Sequence, residues 1–205
     1  MPAIGITGGI ATGKTTVSRA LHSRLEPVLP VDFFSADIEA RRLTDADFGV
    51  QEEVRSAFGG AVFDSSGTLA RDRLRVLVFG NAGARKILEG ILHPRIREAW
   101  QNRLRKETLL LAEIPLLYET GAAESFDKVI VTACSRESQI ERLTTGRNLP
   151  RELATQMILA QMPLEEKVRR ANHVIWTDCP PDITISQGDL LISELIKRYG
   201  GTSAA

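Results

Sequence analysis

The chain has 205 residues, 43% hydrophobic and 25% charged, the mix of one soluble globular domain or one core with small insertions. Lys+Arg and Asp+Glu number 26 each, so the formal net charge is zero, which argues against a dedicated nucleic-acid binder with its basic excess. No apolar run of about 18 residues predicts a membrane span, the opening Met1-Pro2-Ala3-Ile4-Gly5-Ile6 lacks the basic and long apolar regions of a signal peptide, and Cys134 and Cys179, without a CxxC, read as inert thiols of a reducing cytoplasm.

In chain order, Ala3–Thr7 is a short apolar strand running into Gly8-Gly9. Val17, Ala20, Leu21 and Leu25 have helical spacing over Lys14–Leu25. Val28–Val31 reads as a second, weaker strand before the polar stretch Asp32–Asp37. Helical patterns follow at Ala36–Leu43, Gly49–Phe58, Arg71–Phe79, Ala82–Leu92 and Pro94–Lys106, with a turn at Asp64-Ser65-Ser66-Gly67. Leu109–Ile114 and Val129–Ala133 are continuous apolar runs, the pattern of strands covered on both faces. Helices are expected at Ser135–Thr145, Arg151–Gln161 and Leu164–Ala171, then a fifth strand at His173–Trp176 and a closing helix at Asp182–Tyr199. Gly200–Ala205 is a polar, small-residue tail expected to fray.

Five strands alternating with helices predict an α/β fold with a parallel sheet. Strands two and three are too far apart in the chain for one crossover, so a helical subdomain is expected between them. Trp100 and Trp176 fall at apolar-periodic positions and are expected to pack rather than stack on a ligand.

The sharpest motif is Gly8-Gly9-Ile10-Ala11-Thr12-Gly13-Lys14-Thr15, which fits G-x-x-x-x-G-K-[ST] and has a strand before it and a helix after it. Its glycines permit close backbone approach. Its N–H groups form an anion nest at the positive end of the next helix. Lys14 can reach the β- and γ-phosphates of ATP, and the Thr15 hydroxyl can ligate Mg²⁺. The nucleotide site is therefore expected to run from Gly8 to Thr16. A guanine-reading N-K-x-D is absent and the chain is short for a motor ATPase, so a small-molecule kinase is the better reading.

From here the sequence resembles the dephospho-coenzyme A kinase family along most of its length. Ile6 to Thr15 looks like that family's opening, and Ala36-Asp37-Ile38-Glu39-Ala40-Arg41 resembles its A-D-x-x-A-R. Leu69, Arg71, Leu74 and Phe79 fit L-x-R-x-x-L-x-x-x-x-F, and Leu88 to Ile96 fits L-E-x-x-x-H-P-x-I through His93-Pro94. Pro115-Leu116-Leu117-Tyr118-Glu119 looks like P-L-L-[aromatic]-E, and Gln139, Arg142 and Arg147 fit Q-x-x-R-x-x-x-x-R. Gln161 and Lys167 fit a later Q-x-x-x-x-x-K. Three departures stand out: Ser35 where the family commonly has Asp, Ala11 where it has a loop glycine, and Thr177-Asp178-Cys179 in place of N-x-G by the adenine pocket.

The resemblance implies a P-loop, nucleoside-monophosphate-kinase-like three-layer fold. It has a core (about 1–35, 107–135 and 170–200), a helical substrate-binding insertion (about 36–106) and a lid (about 138–165). It implies transfer of phosphate from ATP, with Mg²⁺, to the ribose 3′-hydroxyl of dephospho-coenzyme A, which would enter between sheet edge and insertion. Asp37 would orient or deprotonate that hydroxyl, with Lys14, Arg142 and Arg147 as the other catalytic candidates. Glu113, at the end of strand three, is the candidate metal-side carboxylate. Arg71, His93, Pro94, Arg97, Leu117 and Glu119 are the substrate-binding candidates. The chain is expected to act in the cytoplasm as a monomer or weak homo-oligomer, without nucleic acid. The rival readings are another small-molecule kinase, of nucleoside-monophosphate or shikimate type, and a nucleotide-dependent module whose arginines grip nucleic acid.

The zero net charge is a sum over segregated regions. Arg71, Arg73, Arg75, Arg85, Lys86, Arg95, Arg97, Arg103, Arg105 and Lys106 outnumber Asp72, Glu89, Glu98 and Glu107 between Gly67 and Glu107. That basic surplus suits a polyanionic acceptor.

Overall fold

Continuous apolar runs pair best in the middle of a sheet whose two faces are both covered. Three such runs do so here: β1 (Ala3–Gly8), β3 (Leu109–Glu113) and β4 (Lys128–Ala133). In the computed structural model, which describes residues 2–104 and 108–199, β2 (Val31–Ser35) and β5 (His173–Trp176) flank them. The order is β2-β3-β1-β4-β5, all parallel. The chain leaves β1 for the β2 edge, returns to β3, then passes to β4 on the other side of β1. In such a sheet ligands bind beyond the carboxyl ends of the strands, where this reversal opens a crevice. The register puts Ser35 and Ile6 on either side of Glu113 at that end.

The described residues fall into two compact units, 2–35 with 103–104 and 108–199, and 36–102. In the first, α1 (Lys14–Leu25) and α9 (Pro181–Tyr199) bury Val17, Leu21, Leu191 and Leu195 in a cluster with the sheet residues Ile4, Ile6, Leu111 and Ile130. A Cβ on Gly188 would lie 3.3 Å from Leu21, so the two helices pack closely at that point. This unit also holds α6 (Arg136–Thr144), α7 (Arg151–Leu159) and α8 (Leu164–Arg170).

The second unit is helical: α2 (Ala36–Ala46), α3 (Phe48–Phe58), α4 (Arg71–Gly80) and α5 (Ala82–Gln101). Its helix starts follow local capping chemistry. Asp47 accepts from the Val50 N–H at 3.0 Å, and Asn81 accepts from Gly83 and Ala84 at 2.8 and 3.1 Å. Leu43, Val50, Val54, Phe63, Leu74, Val78 and Ile91 form its own core.

Three expectations change. β2 runs from Val31 to Ser35, not Val28 to Val31. As an edge strand it tolerates polar residues: Asp32 is neutralised by Arg103 at 2.7 Å, while Phe34 is buried. The two helices expected around Pro94 are one 20-residue helix, α5. Proline removes one i→i−4 bond and loosens the turn before it. Here the Arg95 guanidinium donates to the Ile91 carbonyl at 2.7 Å, supplying a partner inside that turn. Trp100 is buried as expected, but Trp176, on the edge strand β5, is 45% exposed. The backbone of Trp176 is closed off by Gln187, which accepts from its N–H and donates to its carbonyl, both at 2.9 Å. Arg105, Lys106 and Glu107 of the charge pattern, the end of the helix expected to Lys106, and the tail Gly200–Ala205 lie outside the described residues.

Candidate active site

The strand–loop–helix that begins the chain builds an anion site. Gly8 has φ +152°, and a Cβ there would meet the Thr132 carbonyl oxygen and Oγ1 at 2.4 Å, so only glycine lets the loop turn off β1 this closely beside β4. Gly13, at φ +80°, is the N-cap of α1 and brings no side-chain oxygen to the first-turn N–H groups. A phosphate provides such a partner at the positive helix end. The Lys14 Nζ folds back onto the loop, donating to the Gly9 carbonyl at 2.7 Å and to that of Gly8 at 3.3 Å. It thus stands over the nest that a phosphate would fill.

The sheet contributes the acidic side. Glu113 is buried at the end of β3. Its Oε1 accepts from Thr15 Oγ1 and its Oε2 from Ser18 Oγ, both at 2.7 Å. The Glu113 candidate is therefore brought to the Thr15 candidate by the sheet. Ser18, one turn further along α1, went unnoticed in the sequence, where a helical serine carries no signal of its own. The oxygen donors Thr15 and Glu113 suit a hard cation such as Mg²⁺, which keeps most of its ligands as water and phosphate. Among the described residues no group of three or more His, Cys, Asp or Glu gathers into a protein-only metal cage.

Several motif residues bond to the loop itself. The Ile10 N–H donates to Gln161 Oε1 at 2.8 Å, and Gln139 Nε2 donates to the Ile10 carbonyl at 2.7 Å. That N–H, expected among the phosphate donors, is thus spent inside the protein. Thr12 is fully buried, its hydroxyl bonded to the Gly9 carbonyl and to Thr132 Oγ1, both at 2.8 Å. Arg142, expected over the transferring phosphate, is occupied on protein oxygens. Its Nη1 donates to the Ala11 carbonyl at 3.1 Å and to Thr177 Oγ1 at 3.0 Å, and its Nη2 to the Thr177 carbonyl at 2.6 Å. Arg147 is exposed after α6.

Two substrate-binding candidates are likewise given other work. Leu117 is fully buried against Gly5, where an added Cβ would stand 2.5 Å from its Cδ1. Glu119 pairs with the fully buried Lys167 at 2.8 Å and accepts from the Met162 N–H at 3.0 Å. Lys167 also donates to the Pro115 carbonyl at 2.9 Å, tying α8 to the chain leaving β3. Burial lowers the Lys167 ammonium below the usual lysine range, against the opposing pull of Glu119. Breaking a buried pair strands one charge. Lys167→Met is therefore expected to destabilise the fold by about 3 kcal/mol, seen as a lower urea midpoint; an unchanged midpoint would show that the pair adds nothing.

Other candidates lie in the helical unit. Asp37 is exposed in the first turn of α2, two residues past the end of β2, and accepts no hydrogen bond from the described residues. Arg71, at the start of α4, pairs with Asp45 at 2.5 Å. His93 and Arg97 stand one turn apart on α5, with Pro94 between them. Burial lowers the His93 imidazole below its usual range, with the Arg97 charge adding to the effect and Glu89 opposing it. Of the cysteines, Cys134 is buried and its thiol is pushed up by burial, which makes it a poor nucleophile, and Cys179 is half-buried.

The chain is similar to known proteins along most of its length. The family model for dephospho-CoA kinase matches residues 2–180. The dephospho-CoA kinase of Anaeromyxobacter dehalogenans is 36% identical over 95% of this chain and 92% of its own. That of Fusobacterium nucleatum is 34% identical over 84% of this chain and 87% of its own. Among solved structures, a Thermus thermophilus protein matches with a TM-score of 0.74 and 33% identity, covering 95% of this chain and 97% of that one.

Proposed function

The chain belongs to the dephospho-CoA kinase family, and from that premise we propose that it transfers the γ-phosphoryl group of ATP to the ribose 3′-hydroxyl of dephospho-coenzyme A, yielding coenzyme A and ADP. The observation that carries this reading is the phosphate loop itself. Lys14 stands over an N-cap without a side-chain partner, and the Thr15–Glu113 oxygen pair flanks it.

Each residue has a task that follows from charge and reach. The loop N–H groups and Lys14 receive the β- and γ-phosphates, and Lys14 exchanges the Gly8 and Gly9 carbonyls for phosphate oxygens. Asp37 accepts the hydrogen bond of the 3′-hydroxyl, aligns its oxygen in line with the γ-phosphorus and takes its proton as the bond to phosphorus forms. The bond from the γ-phosphorus to the bridging oxygen breaks, and ADP carries the leaving charge. Arg147, on the segment read as the lid (about 138–165), is an arginine placed to offset charge on the transferring group. Arg71, His93 and Arg97 are the groups of the helical insertion offered to the acceptor's phosphates. Thr15 would hold Mg²⁺ directly and Glu113 through water. When bound, the ion supplies neutralisation of the β- and γ-phosphate charge. No described helix is long and apolar enough to cross a membrane. We read the chain as acting in the cytoplasm, as a monomer or weak homo-oligomer, without nucleic acid.

A coupled assay for ADP release tests this. Dephospho-coenzyme A should give stoichiometric ADP and coenzyme A. ADP formed only with shikimate or nucleoside monophosphates would reassign the acceptor, and a salt-dependent shift with DNA or RNA would favour the nucleic-acid module.

A further inference from the structure

Two positions at which this chain departs from the family pattern, Ala11 and Thr177-Asp178, are joined in the structure by one side chain. Ala11 adopts φ +59°, one of only two non-glycine residues with positive φ among the described residues. For an L-residue with a Cβ this left-handed conformation is strained and persists only where surrounding contacts over-determine it. Its carbonyl accepts from Arg142 Nη1 at 3.1 Å and, at the longer distance of 4.0 Å, from the Cys134 thiol.

Arg142 is itself held from the β5–α9 loop. Thr177 takes two of its bonds, on Oγ1 and on the backbone carbonyl. The Thr177 hydroxyl is anchored in turn by donating toward the Thr12 carbonyl at 3.1 Å and the Ala133 carbonyl at 3.3 Å. Asp178 Oδ2 accepts from the Ser135 N–H at 2.6 Å, which fixes the carboxylate at the start of α6. Its Oδ1 is buried without a hydrogen-bond partner and lies 3.7 Å from Arg142 Nη2, where it acts by charge alone. The chain thus closes from Ala11 through Arg142 to Thr177 and Asp178, and back through Thr177 to Thr12, the next residue of the phosphate loop.

We propose that Arg142, oriented by Thr177 and Asp178, is a positioning residue that holds Ala11 in its left-handed conformation and thereby keeps the phosphate loop in its nucleotide-receiving shape. Arg142 then acts through the loop backbone rather than on the γ-phosphate. Its removal weakens nucleotide binding before it weakens chemistry. A glycine at position 11 needs no such restraint, because the left-handed region costs it little. The proposal rests on the nucleotide reading of the loop.

The test is a cycle of Arg142→Gln, Ala11→Gly and the double variant, with Asp178→Asn as a milder perturbation. ADP affinity is measured by calorimetry, with kcat and KM for ATP alongside. Arg142→Gln is expected to weaken ADP by on the order of tenfold, the effect of losing hydrogen bonds from a charged group. KM for ATP should rise in step, with kcat at saturation within about threefold of the parent. Adding Ala11→Gly to Arg142→Gln is expected to restore most of the lost affinity, and the Ala11→Gly single variant completes the cycle. Asp178→Asn keeps an acceptor for Ser135 and loses only the charge, so a smaller effect of the same kind is expected. A fall in kcat with unchanged ADP affinity would overturn the proposal in favour of a phosphate-contacting arginine. Failure of Ala11→Gly to rescue a folded Arg142→Gln protein would also overturn it. Thermal melts of each variant separate these results from misfolding. Failure of the parent chain to bind ADP would instead overturn the nucleotide reading, so the two failures are distinct.

Discussion

Asp37→Asn is expected to lower turnover with dephospho-coenzyme A by about two to three orders of magnitude while leaving ATP affinity within about twofold, in line with the loss of one positioned proton acceptor. The substitution keeps shape and one acceptor oxygen but removes the charge that draws the hydroxyl proton. Asp37 is exposed on the first turn of α2 and takes no hydrogen bond from the described residues. Little of its effect should therefore come from stability, beyond a helix-dipole contribution of about 0.5 kcal/mol. The measurement is kcat and KM for both substrates, with ADP binding by calorimetry as the control. Near-parental kcat would remove Asp37 from the chemistry and leave it as a helix-start acid.

Lys14→Ala is expected to cost about three orders of magnitude in kcat, the upper range for deleting one preorganised charge donor to a developing anion, and to weaken ATP as well. The ammonium already points over the loop, bonded to the Gly8 and Gly9 carbonyls. It therefore reaches phosphate by exchanging partners rather than by a loop rearrangement. The loop keeps its other tethers through Ile10 and Thr12, so a folded variant with a near-parental melting temperature is expected. Lys14→Arg should not restore activity, because a planar fork does not fit the space of a point charge. Recovery in that variant would show that only net charge matters at this position.

The two variants separate the roles of the two units of the chain. Lys14 belongs to the nucleotide half and should perturb binding and rate together, whereas Asp37 should perturb rate alone. The basic surplus between Gly67 and Glu107 has partly local uses in the structure. Arg71 pairs with Asp45, Arg75 with Asp72 and Arg95 with Glu53. These are partly exposed pairs worth little in stability, so a polyanionic acceptor could displace them at small cost.

Legibility followed range along the chain. β1, the loop and α1 were readable because strand, turn and helix are contiguous and each glycine answers a local steric demand. β3 and β4 were readable as unbroken apolar runs. β2 is hard to place from sequence because an edge strand relaxes that pattern, and Asp32 finds a countercharge in Arg103, 71 residues away. The long α5 reads as two helices because a proline inside a helical pattern is a boundary signal, although the helix continues through Pro94. Within the candidate site, motif and strand-end position single out Lys14, Thr15 and Glu113, and the structure bonds Thr15 to Glu113 and Lys14 to the loop carbonyls. Ser18 is not singled out, since only its bond to Glu113 distinguishes it from any helical serine.

The sequence by itself determined the α/β class, the phosphate loop and the family, because these rest on contiguous residues whose spacing is their chemistry. Only the tertiary structure decided which polar residues serve that loop and which face outward. Glu113 meets Thr15 across 98 residues, Gln161 meets Ile10 across 151, and Thr177 meets Thr12 across 165. Parallel strands place such partners side by side at one sheet edge, a neighbourhood set by strand order and not by distance along the chain. For that reason Gln139, Gln161 and Arg142, matched in sequence to a kinase pattern, are seen to bond to the loop only in the folded chain, and Lys167 to the segment leaving β3.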